Sequence, residues 1–452
     1  MKTNYLRRRS VFVLILMFAA TVAVRADKVD DFVRAAMQKQ HVPGVAIAVV
    51  RDGKVIKSAG YGMANVELNV AATPDTVFKI ASVSKQFLAT GIMLLVQDGK
   101  LNLDDKISKF LDGTPDTWKD ITIRHLLTHT SGLVREAPGF DPLKIQNDAD
   151  VIKTAYALPL VFKTGEKWQY CNVGYFSLAE IIHKVSGKPW GDFLTERVFA
   201  PLGMNSTRTT SMTDLVPNRA NGYAWAKGKY QNADIYFALR PSGAFLSTVH
   251  DLAKWDAALY TDKFLTKATR DQMWTPVKLN NGETYPYGFG WQLEPAGNHR
   301  QVRHGGSLPG FRAEFTRLVD DKLSVIVLTN GDGANAASIA AGIADRYIPD
   351  VLPNRSVAKV DPKIFDPFVG QYQPNPSNPN FIVIVTREGR KLMVQEGADA
   401  EKQELLPESE TEYFLDDDPL LTYSFIKGED GQVTHLAVMR GKQQLAKAKK
   451  IK

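Results

Sequence analysis

The chain has one cysteine in 452 residues, Cys171, so no intramolecular disulfide can form and stability has to come from a packed core. It also lacks a membrane-spanning run: the apolar stretch from Val11 to Val24 has 14 residues, where a spanning helix needs about 20. Excess charge is scarce as well. The formal net charge is +7, but five basic residues (Lys2, Arg7, Arg8, Arg9, Arg25) fall in residues 1–26. The rest of the chain carries 51 basic and 49 acidic residues, a net +2. That balance gives no electrostatic case for nucleic acid or an anionic membrane as partner. Two histidines four apart, His125 and His129, have zinc-like spacing without a third ligand or an adjacent glutamate, so no metal is implied.

What is present is the composition of a soluble globular protein, 44% hydrophobic and 23% charged. A basic start, an apolar stretch and Val24-Arg25-Ala26 read as a cleaved secretory signal over residues 1–26, by the general or the twin-arginine route, which places the mature protein in the periplasm or outside the cell. The periodicity predicts a helix over 30–40, then two strands joined at Asp52-Gly53, and a helix buried on nearly every face over 84–97. Residues from about 100 to 280 are richer in helix-like segments, turns and prolines. Two strand-like runs, "AEFTRLVD" and "KLSVIVLTN", then precede an Ala-rich helix over 334–347. The fold class expected is therefore α/β of the α+β kind: an antiparallel sheet built from both chain ends, flanked by N- and C-terminal helices, with a helical subdomain between. This domain spans 27–350. A proline-broken linker over 351–365 leads to a small all-β antiparallel domain over 366–452, where alternating runs are cut by Gly, Asp and Pro turns.

Ser82-Val83-Ser84-Lys85 is an S-x-x-K. Residues i and i+3 of a helix face the same way, so a hydroxyl can meet an amine, and a helix N-terminus favours the alkoxide as it forms. Burial would make the lysine a usable base. The spacing recurs at Ser356, in the linker, and at Ser424, in a strand-like run where i and i+3 face opposite sides; only Ser82 opens a buried helix. Tyr170-Cys171-Asn172 offers a phenol to share a proton with Lys85 and an amide to hold lysine and substrate. A rival, Tyr230-Gln231-Asn232, reads as a solvated turn. Lys163-Thr164-Gly165 has the letters of a third box but sits in a turn. "QVRHGGSLPG" fits the strand edge that the chemistry needs, with His304 in place of lysine, Gly305 and Gly306 letting a ligand approach the backbone, and Ser307 donating an oxyanion N–H.

With these boxes the chain resembles the serine β-lactamase and penicillin-binding-protein superfamily, in its class C branch of Y-x-N and H/K-x-G pattern. That branch includes class C β-lactamases, family VIII esterases, D-aminopeptidases and D-alanyl-D-alanine carboxypeptidases. The resemblance covers about residues 28–350 and includes "HLLTHTSGL" from His125, "EKWQYCNVGY", "YGFGW" from Tyr287 and "VIVLTNGDGA". It implies an acylated nucleophile at Ser82, a base system of Lys85 and Tyr170, a positioning role for Asn172, the strand box at His304 to Gly306, and no cofactor. Cys171 replaces the usual serine of Y-x-N and is expected to point away from the site. Histidine is mostly neutral near pH 7, so His304 should hold a substrate carboxylate less well than lysine. Esters and D-amino-acid peptides or amides therefore rank above β-lactams. The alternative is an acylatable penicillin-binding or cell-wall-peptide sensor that does not turn over.

Two decoys complete the reading. Gly331-x-Gly333-x-x-Ala336 matches a dinucleotide fingerprint, yet the chain runs on into prolines rather than a second parallel strand. Gly305-Gly306-Ser307-Leu308-Pro309 fails the G-x-S-x-G of α/β-hydrolases at its last position.

Overall fold

The computed structural model describes residues 27–209, 214–233, 241–243, 245–374, 381–397, 401–441 and 443–452; the expected signal segment lies outside the described residues. Among these, no helix is long and apolar enough to cross a membrane.

Helix α1 (Lys28–Lys39) leads into β1 (Gly44–Arg51), β2 (Lys54–Asn65) and the short β3 (Val70–Ala71). Near residue 300 the chain returns with β4 (Gln301–Leu308), β5 (Phe311–Leu318) and β6 (Leu323–Thr329). The six strands form one antiparallel sheet in the order β4-β5-β6-β1-β2-β3, so both chain ends contribute and β4 is an edge. β1 is buried on both faces because the sheet is covered twice. Ala46, Ala48 and Val50 face one core together with α2 (Lys85–Gln97), while Val45, Ile47 and Val49 face the other with α1 and the helix at Ala336–Asp345. Because β6 pairs antiparallel with both β1 and β5, the glycines after it belong to the turn before that helix and not to a parallel dinucleotide unit.

The intervening residues supply the helical part. Helix α3 (Asn172–Ser186) crosses α2, and Gly91 permits that approach, since a Cβ there would lie 3.0 Å from both Ile182 and Leu194. Helix α4 (Val249–Ala258) is capped by Thr248, whose side chain accepts from the Asp251 N–H. It is tied to the sheet by Asp256, whose Oδ1 accepts from Arg317 Nε and Ser324 Oγ, each at 2.6 Å, with both ionic groups buried. The Ala-rich helix, here α5 (Ala336–Asp345), is shorter than its composition suggested because Asn335 caps it. Tyr230-Gln231-Asn232 differs from expectation: it lies in a short exposed strand, Lys229–Asn232, whose partner strand carries Trp225 stacked on His41.

Eight further strands, β7 (Gly370–Gln373), β8 (Val383–Glu388), β9 (Lys391–Glu396), β10 (Gln403–Pro407), β11 (Glu412–Leu415), β12 (Asp418–Lys427), β13 (Val433–Arg440) and β14 (Gln443–Lys450), close into an antiparallel barrel. Tyr372 of β7 pairs with Lys450 of β14, which removes both sheet edges. Its interior is a separate core of Tyr372, Tyr413, Tyr423, Phe425 and aliphatic residues. Phe365 also belongs to it, so barrel packing reaches into the stretch read as linker.

Candidate active site

Ser82 sits one turn earlier than a simple helix start would place it. Ala81–Ser84 form a 3₁₀ turn, and α2 begins at Lys85. Ala81 adopts φ 48 although it is not glycine, a conformation that costs about 1–2 kcal/mol and turns the chain sharply just before Ser82. A second close contact fixes the same corner: a Cβ on Gly306 would fall 2.2 Å from the Ile80 carbonyl oxygen, so only glycine lets β4 pass over this turn. Ser82 is left partly exposed at the wall of a cavity of about 670 Å³, which is also lined by Tyr170, Asn172, His304, Gly305, Gly306 and Ser307. The sequence boxes thus meet in one place.

Lys85 is fully buried, and its Nζ lies 3.3 Å from Ser82 Oγ, 3.0 Å from Asn172 Oδ1 and 2.7 Å from the Ser242 carbonyl oxygen. The last two can only accept. They take two N–H bonds, and the third direction meets a hydroxyl that can donate or accept. A neutral amine is therefore satisfied by accepting the Ser82 proton, and an ammonium by donating to all three. Tyr170 stands over this amine, with its ring centroid 4.8 Å from Lys85 Nζ and 5.1 Å from Arg135 Cζ. Asn172 Nδ2 donates to Glu136 Oε1 at 2.5 Å. Cys171 points away, as expected: it caps α3 by accepting from the Gly174 N–H, and its Sγ donates to the Val134 carbonyl. Burial pushes its thiol up to about 12, so it is no nucleophile.

The backbone of β4 supplies the opposite wall. The Arg303 N–H donates to the Gln292 carbonyl oxygen and the Arg303 carbonyl accepts from the Gln292 N–H, so residue 303 turns its polar groups away from β5. Pairing with β5 runs without a bulge from Gln301 to Leu308. By the two-residue period, Gly305 and Ser307 turn theirs the same way, off the free edge. Ser307 lines the same cavity as Ser82.

His304, expected as a weaker substrate anchor than lysine, lines the cavity with the other box residues. It keeps the strand-box position, but its ring is 2% exposed and spent on the protein: Nδ1 lies 2.6 Å from the Gly305 carbonyl oxygen and Nε2 3.0 Å from Tyr287 Oη. Tyr287 Oη is also 3.1 Å from His129 Nε2, and His129 Nδ1 accepts from the Cys171 N–H. That backbone donor fixes the whole chain of protons. His129 carries its hydrogen on Nε2 and donates to Tyr287, Tyr287 donates to His304 Nε2, and His304 donates from Nδ1 to Gly305. Three segments that line the cavity are joined by these neutral groups. Burial, with Lys85 nearby, holds His129 well below its usual range and His304 down to about 3. His125 serves elsewhere, its Nδ1 accepting from the Thr122 N–H in a capping box, and burial holds it at about 4.

Buried neutral histidines make stability depend on pH. Their folded pKa values lie below the unfolded value of about 6.5, so this contribution is fully present above pH 6.5 and is lost as pH falls toward 3. Between pH 7 and 4, His304 alone should cost about 3 kcal/mol. Urea unfolding of wild type and His304→Gln at both pH values should show a smaller acid loss in the variant; equal losses would contradict the neutral, buried assignment.

Lys163-Thr164-Gly165 forms the expected turn, with Gly165 at φ 78 and Thr164 Oγ1 donating to the Ser131 carbonyl, and does not line the cavity. Sequence reasoning missed Glu136, Ser242 and the joining role of His129 and Tyr287. The last two sit in stretches that were singled out, but only their distance in space shows what they do. It also gave no sign that Arg440 and Leu445, from the barrel, line the same cavity.

Comparison with known proteins bears on the family and the fold. A family model described as Beta-lactamase matches residues 29–348. A penicillin-binding protein of Bacillus subtilis (strain 168) is 33% identical over 408 residues, 84% of this chain and 89% of that protein. A D-aminopeptidase of Brucella melitensis biotype 2 is 28% identical over 397 residues, 85% and 73% of the two chains. Among solved structures, the octameric penicillin-binding protein homologue from Pyrococcus abyssi superposes with TM-score 0.68 at 25% identity, covering 93% of this chain and 99% of that one. The D-amino acid amidase of Ochrobactrum anthropi SV3 gives TM-score 0.59 at 25% identity over 68% and 92%.

Proposed function

This chain belongs to the beta-lactamase family and is a serine hydrolase, and from that premise we propose that it is exported and acts through an acyl-enzyme on Ser82. Its substrates are D-amino-acid amides or peptides and esters, with β-lactams turned over more slowly. The observation that carries the reading is the Lys85 amine, held between two obligate acceptors so that its remaining direction meets the Ser82 hydroxyl.

Ser82 Oγ attacks the substrate carbonyl as its proton passes to Lys85 Nζ, with Tyr170 sharing the proton-transfer work from above the amine. The carbonyl oxygen becomes an oxyanion held by the N–H groups of Ser82 and Ser307. Collapse breaks the bond to the leaving group, which departs with the proton returned from Lys85. Water, activated by the same base, then attacks the ester on Ser82 and frees the enzyme. Asn172 fixes the amine and presents its amide to the acyl group. The D-preference rests on the names of the relatives and on the open edge of β4, along which an extended acyl chain can lie.

The test is a stereochemical pair: D- and L-alanine p-nitroanilide, with p-nitrophenyl acetate and a chromogenic cephalosporin alongside. The D-anilide should be cleaved at least about 100-fold faster than the L, because a misdirected acyl group moves the carbonyl out of attacking geometry. Equal rates would overturn the stereochemical reading. A persistent adduct on Ser82 without product, seen by mass spectrometry, would favour a sensor instead.

A further inference from the structure

The short helix Ile123–Leu127 ends in a reverse turn whose left-handed position usually holds glycine. The Thr130 N–H donates back to the His125 carbonyl at 3.0 Å and the His129 N–H to the Leu126 carbonyl at 3.4 Å, the two bonds of a Schellman motif. His129 occupies the glycine slot, with φ 60. A side chain there carries strain that glycine would avoid, and residues held in that way collect at functional sites. The imidazole has a task that glycine could not perform.

That task concerns Tyr170. Both of its chain neighbours are held by His129: the Gln169 N–H donates to the His129 carbonyl at 3.0 Å, and the Cys171 N–H donates to His129 Nδ1 at 3.1 Å. The phenol ring lies against the imidazole, with centroids 4.4 Å apart, and Lys85 Nζ stands 4.8 Å from the same phenol centroid. Trp168, Tyr175 and Tyr287 enclose the imidazole further, at centroid distances of 5.9, 5.2 and 4.8 Å. His129 is 1% exposed and is not among the residues that line the cavity, so it does not reach a substrate. Burial, with Lys85 nearby, keeps the ring neutral and leaves Nδ1 an acceptor.

Resting on the reading of Tyr170 as part of the base system, we propose that His129 is the positioning residue of that phenol. Its carbonyl and its Nδ1 clamp the backbone on either side of Tyr170, and its ring face sets the tilt of the phenol beside Lys85. The carbonyl bond survives any substitution, whereas the bond from Cys171 needs an acceptor attached at Cγ. Asparagine carries its oxygen there and tolerates a positive φ. Glutamine is one bond longer and places its amide where Nε2 stands, towards Tyr287. The two amides share their chemistry and differ in reach, which separates the clamp from general packing.

The experiment measures kcat and KM on p-nitrophenyl acetate for the full chain with His129→Gln and His129→Asn, each alone and combined with Tyr170→Phe, with thermal unfolding as the control for folding. His129→Gln should lower kcat about ten- to hundred-fold, the scale of a displaced catalytic group, and move KM by less than about threefold. His129→Asn should recover most of that loss. In the Tyr170→Phe background the glutamine change should cost less than about threefold, because a phenol oxygen that is absent cannot be misplaced. Should glutamine prevent folding, His129→Ala, which lacks the acceptor without adding bulk, takes its place in the same cycle. Losses of equal size in both backgrounds, an asparagine variant as poor as the glutamine one, or an unchanged kcat without the acceptor would overturn the proposal. Full activity of Tyr170→Phe alone would remove the catalytic reading on which the proposal rests, a result distinct from loss of coupling.

Discussion

Ser82→Ala lowers kcat on every substrate by about 10⁴- to 10⁶-fold, the range found when a serine nucleophile is removed and only binding and oxyanion donors remain. The same change abolishes covalent labelling by a fluorophosphonate. It should leave folding nearly unchanged: Ser82 is partly exposed, and the hydroxyl's contact with Lys85 is long at 3.3 Å. Substrate affinity in the variant should also persist, because the cavity wall and the free edge of β4 are untouched. Stopped assays with purified protein, with thermal unfolding as control, check this. Turnover that survives at wild-type rate would remove Ser82 from the chemistry, and with it the acyl-enzyme.

Replacing Lys85 separates two roles that one amine combines. Lys85→Met keeps the length of the stem but removes the base, and should cost about 10²- to 10⁴-fold in kcat. It also leaves Asn172 Oδ1 and the Ser242 carbonyl without the donor they share, and an unmet buried acceptor costs about 1–3 kcal/mol. Lys85→Arg retains donors for both carbonyls yet has no lone pair to accept a proton. If Lys85 is the base, both variants are equally poor catalysts. If it only positions its neighbours, the arginine variant should keep a substantial share of activity, and that result would reassign the base. Comparing kcat with the dissociation constant of an uncut ligand distinguishes lost chemistry from a distorted cavity.

The architecture was legible because its signals are local and repeated. Two-residue alternation marked the strands, an all-round apolar run marked α2, and Pro and Gly turns marked the junction with the barrel. The nucleophile was legible for a different reason: of three S-x-x-K spellings, one alone opens a buried helix, and the structure puts it beside Tyr170 and Asn172. What stayed hidden depends on folding in three dimensions. Nothing in the letters of His304 shows that its two ring nitrogens lie within hydrogen-bond distance of Tyr287 Oη and the Gly305 carbonyl, contacts that only the folded structure reveals. Arg440 lies 358 residues after Ser82 in an unremarkable strand, and only the docking of Asp418 against Asn335 brings it to the cavity. Tyr230-Gln231-Asn232 went the other way: a polar stretch read as a turn pairs as a strand because Trp225 and Tyr230 pack against each other across the hairpin.

The free edge of β4 has one more consequence. A row of unpaired backbone groups is an invitation to strand addition by any neighbouring chain, including another copy of this protein, and proteins usually blunt such edges. Here Gln292 already occupies the edge at Arg303, and the barrel hairpin lines the adjoining cavity with Arg440 and Leu445. Among the described residues, the length left open around Gly305 and Ser307 is short for templating a foreign strand but long enough for a few residues of an extended ligand. The C-terminal barrel would then act as a guard against self-association as well as a wall of the cavity, and shaving it away should cost solubility at the same time as selectivity.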